Sequence, residues 1–114
     1  MELTISACPR DEVRELKEKL IELCVNNSFG GWSYKTFSLV EEAICKSIQE
    51  DGHSGYVVFM IEDKDDSLIM TPAKIKGEVN LPFHLFSYCV GRIVNLLMVN
   101  LWDSISEITI RKSY

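Results

Sequence analysis

Two histidines in 114 residues leave this chain little from which to build acid–base or metal chemistry. His53 and His84 stand far apart, and the four cysteines, Cys8, Cys24, Cys45 and Cys89, contain no C-x-x-C pair. The usual spacing of a zinc site is therefore absent, and no metal or other cofactor is expected. Lys and Arg number 12 against 17 Asp and Glu, for a net charge of −5, and they form no cluster. Domains that hold nucleic acid by neutralising phosphates carry a basic face, so no nucleic-acid partner is expected. Glycine is also sparse. Gly30-Gly31 precedes Lys35 and Thr36, but the spacing of a phosphate loop is missing. Nothing resembles a nucleophile elbow, and no catalytic residues are assigned. The opening MELTISACPRDE lacks a basic segment followed by an apolar run. No signal peptide is expected there, and buried thiols in a reducing cytoplasm are the simplest account of the cysteines.

What the chain does have is one long apolar stretch, Leu81–Trp102. Arg92 near its midpoint argues against a bilayer span, where a charged side chain costs about 3 kcal/mol. The stretch reads as a buried helix with Asn80 as cap and Pro82 in its first turn. It is expected to be the central element, with the rest of the chain packed around it.

Alternation predicts a strand over Glu2–Ser6. From Pro9 to about Asn26, Val13, Leu16, Leu20, Leu23 and Cys24 recur at helical spacing, with Asp11 and Glu12 where the helix dipole favours them. Asn27–Phe37 reads as a loop crowded with Phe29, Trp32, Tyr34 and Phe37. Ser38-Leu39-Val40-Glu41 has the form of a capping box. A second helix is predicted after it, with Val40, Ala43, Ile44 and Ile48 as its stripe and Gly52 as its stop. Gly55–Glu62 is apolar on both faces, as a covered central strand would be. A polar turn and a partner strand, Ser67–Thr71, follow, and Pro72 places that strand at an edge or ends it. Ala73–Leu81 reads as a loop, and Glu107–Lys112 as the last strand.

The expected fold is thus a single α+β domain, residues 1–114, in the order β-α-α-β-β-α-β. A small mixed sheet of about four strands would pack with three helices.

Two sets of residues are candidates for function. Glu50 and Asp51 at the end of the second helix, with Glu62, Asp63, Asp65 and Asp66 in the polar turn, would form one negative patch if the two turns share an end of the sheet. Such a patch steers a basic partner, and Trp32 and Tyr34 would anchor it, because these residue types dominate binding hot spots. The EF-hand spacing is absent from the same acidic run. The second set is the stripe His84, Tyr88, Arg92 and Asn95 on the long helix. An Arg on an otherwise apolar helix needs a partner, and a ligand carboxylate or phosphate would serve.

The composition fits a small, acidic, non-enzymatic protein-binding module with no membrane partner. Immunity proteins, antitoxins and secretion chaperones, which neutralise or shelter a basic protein, share this size and charge; the analogy is physical and rests on no sequence match. A homodimer through the last strand or the Pro72 strand is a further expectation. The alternative is a small-molecule-binding protein or small enzyme built on the helix stripe.

Overall fold

Glu2–Ala7 forms strand β1, and its alternation sends Leu3, Ile5 and Ala7 into the interior. A short 3-10 turn, Arg10–Glu12, leads into helix α1, Val13–Asn26. The computed structural model describes residues 2–26, 31–39, 41–50, 53–73 and 83–111. The remaining elements are β2 (Trp32–Thr36), β3 (Glu42–Glu50), β4 (His53–Lys64), β5 (Ser67–Ala73), α2 (Phe83–Asn100), a 3-10 turn at Trp102–Ser104 and β6 (Ile105–Arg111).

The six strands form one sheet in the order β2-β3-β4-β5-β1-β6, and every neighbouring pair is antiparallel. The expectation of a mixed sheet of about four strands with three helices is therefore corrected. Among the described residues there are six strands and two α-helices, and more of these residues lie in sheet than in helix.

The largest departure is the second helix. Its residues form β3, paired with β2 on one side and β4 on the other. The capping-box residues do make their local bond: the Glu41 N–H donates to Ser38 Oγ at 3.1 Å. That bond, however, helps close a hairpin, in which the Phe37 N–H also donates to the Glu41 carbonyl at 2.8 Å. A Ser hydroxyl satisfies a nearby N–H equally well in a turn. The run Ala43-Ile44-Cys45 then has both faces buried, Ile44 in one cluster and Ala43 and Cys45 in another. A short apolar run of this kind fits a covered strand as well as a helix.

Register places Leu3, Ile5, Trp32, Ile44, Phe59, Ile61, Leu68 and Met70 on one face. Both helices cover that face, because Leu16 and Leu20 of α1 and Ile93 and Leu97 of α2 belong to the same buried cluster. Each large aliphatic or aromatic side chain buried here contributes about 1.5–3 kcal/mol. The Leu81–Trp102 helix is accordingly not central. α2 forms half of a helical layer, with Cys89, Ile93, Leu96 and Leu97 buried and Tyr88, Arg92, Asn95, Met98 and Val99 exposed. Among the described residues no helix is long and apolar enough to cross a membrane.

Pro72 is also relocated. It lies in β5, an interior strand, opposite Phe59 of β4. Pairing of β5 with β1 runs from Leu3↔Met70 to Ser6↔Ser67, so Pro72 sits beyond it. A residue without an N–H is tolerated where a ladder has ended. The predicted Asn80 cap, Pro82, the Ala73–Leu81 loop beyond Ala73, Phe29 and the Gly52 stop lie outside the described residues. Gly31, which opens β2, has φ +83, a left-handed value suited to glycine, and an added Cβ would lie 2.8 Å from Ser47 Oγ.

Candidate functional site

Lys17 lies on the apolar stripe of α1, between Val13 and Leu20. A cation facing a core needs partners, and it finds two on the sheet. Its Nζ is 2.7 Å from Glu42 Oε1 on β3 and 3.0 Å from Asp63 Oδ1 on β4. Tyr34 on β2 adds a third strand, its hydroxyl donating to Glu42 Oε2 at 2.6 Å. Burial opposes the charge on Lys17, but the hydrogen bonds to Glu42 and Asp63 outweigh it and hold its pKa above the ordinary value. The bond from Lys17 lowers the pKa of Glu42, aided by Tyr34, and the bond from Lys17 likewise lowers that of Asp63. The hydrogen bond to Glu42 raises the pKa of the Tyr34 hydroxyl. These shifts move every member of the cluster away from neutrality, where a general acid or base would need to sit. The cluster is a clasp between helix and sheet.

The clasp stands at a strongly acidic end of the sheet. β4 and β5 are joined by the tight turn at Asp65-Asp66, in which Asp65 adopts φ 56, a left-handed conformation that Asp tolerates. The Ala7 N–H donates to the Asp66 carbonyl at 3.3 Å, which brings the turn after β1, with Asp11 and Glu12, to the same end. Glu42 pairs with Ile61, so Glu41 lies there as well. Asp11, Glu12, Glu41, Glu62 and Asp65 are exposed and Asp66 is half-buried, while Arg10, Arg14 and Lys64 offset part of their charge. Arg10 and Asp66 approach to 3.8 Å, a loose contact on the surface that contributes little.

The residues singled out from sequence are distributed differently from the expectation. Glu62, Asp63, Asp65 and Asp66 are brought together, but Asp63 is engaged by Lys17. Glu50 pairs with His53 at the far end of β4, roughly 35 Å from the Asp65 turn at the rise of an extended strand. Consecutive hairpin turns fall at opposite ends of the strand they share, so the single patch containing Glu50 does not form. Asp51 lies outside the described residues. Trp32 is only 2% exposed and packs against Phe59, with ring centroids 6.0 Å apart, so it anchors the core and cannot anchor a partner. Tyr34 is half-buried and engaged by Glu42.

On α2, Tyr88, Arg92 and Asn95 are exposed along the outer face. The premise that Arg92 needs a ligand carboxylate or phosphate is removed, since its side chain is exposed to solvent. His84 belongs to the same helix, in a part whose side chains lie outside the description. Sequence reasoning missed Lys17, Glu42, Asp11, Glu12 and Glu41 as members of this region. Lys17 carried a readable signal, a charge within the apolar stripe Val13–Leu20–Cys24, whereas Glu41 and Glu42 were hidden by the helix assignment.

No protein family, curated protein or solved structure matches this chain.

Proposed function

We propose that this protein is a small, non-enzymatic protein-binding module that receives a basic protein partner, in the manner of an immunity-type or antitoxin-type inhibitor. The observation that supports this reading is the gathering of Asp11, Glu12, Glu41, Glu62, Asp65 and Asp66 at one end of the sheet. Charges of one sign concentrated on a rigid end focus the field and raise the association rate of a cationic partner. The neighbouring carboxylates Glu42 and Asp63 share the single positive charge of Lys17 and hold the frame beneath that surface. Three of the four cysteines are buried, which fits work in a reducing cytoplasm. A chaperone for a basic client is a variant of the same reading, distinguished by an extended, unfolded segment in the partner.

The test is capture of partners by the tagged protein from its source cells, followed by association kinetics of the retained protein. Asp65→Asn keeps a residue that tolerates the left-handed turn, and it is combined with Glu62→Lys. The expected result is a basic partner held near stoichiometrically, with association slowed about tenfold in the variant and its salt dependence flattened. An unchanged association rate, or no basic partner retained, overturns the proposal.

A further inference from the structure

β6 ends the order of the sheet, and among the described residues no strand covers its outer side. Proteins usually blunt such an edge with charge or cover it. Here the edge is bordered on the helix side by a mostly apolar groove of about 340 Å³, lined by Val94, Met98, Trp102, Ile105, Ile108 and Ile110 with Ser106 and Glu107 at its polar part. Trp102 is 61% exposed and Ile110 52%. Register with β1 sets the two faces of the strand. Ile108 and Ile110 stand opposite Ile5 and Leu3 and face the helices, whereas Glu107, Thr109 and Arg111 stand opposite Ser6, Thr4 and Glu2 on the other face.

We infer that β6 pairs antiparallel with β6 of a second copy of this chain, about a two-fold axis through Thr109. In that register Glu107 lies opposite Arg111 of the partner subunit, and the symmetry repeats the pair. Arg111 would then stand between Glu2, its neighbour on β1, and the partner subunit's Glu107. Ile108 meets the partner subunit's Ile110 on the helix side, which continues the apolar face across the axis and brings Trp102 toward cover. Direct cross-strand pairs of opposite charge and of β-branched residues both stabilise a sheet.

The registers shifted toward the start of β6 are poorer. Centring on Ile108 puts Glu107 opposite Thr109 and leaves both charges unmatched. Centring on Glu107 sets two carboxylates against each other. A register between residues opposes Ile108 to Thr109 and mismatches the two faces. The other edge, β2, has the sequence WSYKT, with one Lys and no acid, and offers no such self-complementarity. Because the strands oppose each other, the two acidic ends point apart and both stay open. The dimer therefore stands or falls separately from the proposed function.

Sedimentation of the full chain over a dilution series tests this. Wild type is expected to dimerise reversibly. E107R and R111E alone each set like charges across the axis and are expected to weaken the dimer at least about tenfold. An equimolar mixture of the two restores opposite charges at every contact, so a heterodimer with affinity near that of wild type is expected. Circular dichroism checks that each variant folds. Should a reversal disturb the fold, Glu107→Gln and Arg111→Gln are measured instead, with about threefold weakening expected of each. A wild type that is monomeric throughout, a dimer indifferent to these changes, or a mixture no tighter than its components overturns the inference.

Discussion

Lys17 on α1 and Glu42 on β3 meet at 2.7 Å, a contact that joins the first helix to the acidic end of the sheet. Asp63 completes the bridge from β4, and the lysine side chain is only 16% exposed. Lys17→Met keeps the length of the side chain and removes its charge, leaving Glu42 and Asp63 facing each other with partial burial. A loss of about 1–3 kcal/mol is expected in urea unfolding, because removing one partner strands the others. If the urea midpoint were unchanged, the clasp would contribute nothing to stability.

The pH dependence follows from the same contacts. Glu42 and Asp63 are held below their ordinary values of 4.5 and 3.8. Depressed carboxylates contribute stability that is present above those ordinary values and is lost as pH falls through the folded ones. Lys17 and Tyr34 are held above 10.5 and 10.0. Their contribution is present below those values and is lost as pH rises through the folded ones. Stability from the clasp is therefore level from roughly pH 5 to 9 and falls on both sides. In Lys17→Met the acid limb should become shallower, because protonating Glu42 and Asp63 no longer breaks an ion pair. An acid limb of equal slope in both proteins would place the acid sensitivity elsewhere.

The cysteines should divide sharply in reactivity. Cys8 is exposed, whereas Cys24 is buried among core residues, and burial, aided by the neighbouring Cys45, pushes its thiol up to about 11. The thiolate is the reactive form. At pH 8 a chromogenic disulfide reagent should therefore modify Cys8 rapidly and Cys24 only when the chain unfolds. Peptide mapping after brief labelling reads the outcome. Early label on Cys24 would show that the helical layer opens readily.

Much of the architecture was legible because it rests on local periodicity. The alternation of Glu2–Ser6, the stripe of α1, the two apolar faces of β4 and its polar turn into β5 each follow from side-chain spacing within one segment. So does the existence of α2, whose exposed Tyr88–Arg92–Asn95 edge is the polar stripe seen in the sequence. The fold class was misjudged at Trp32–Thr36, read as loop but forming β2, and at Ser38–Glu50, where a serine bond and a short apolar run serve a hairpin and a helix alike. There the competing strands β2 and β4 decided the outcome, and neither is visible from inside that window.

The candidate site depended still more on tertiary structure. The sequence by itself determined that Lys17 falls on an apolar stripe, that acid outweighs base, and that Ile44 and Leu97 need burial; it left Trp32 as an exposed anchor. Only the folded sheet decided that Lys17 meets Asp63, 46 residues away, that Glu41 joins the Asp65 turn and that Glu50 is carried to the opposite end. The physical reason is that burial and periodicity are properties of one segment. Strand direction and register are set by pairing between segments, whose hydrogen bonds and cross-strand contacts exist only once the chain has closed upon itself.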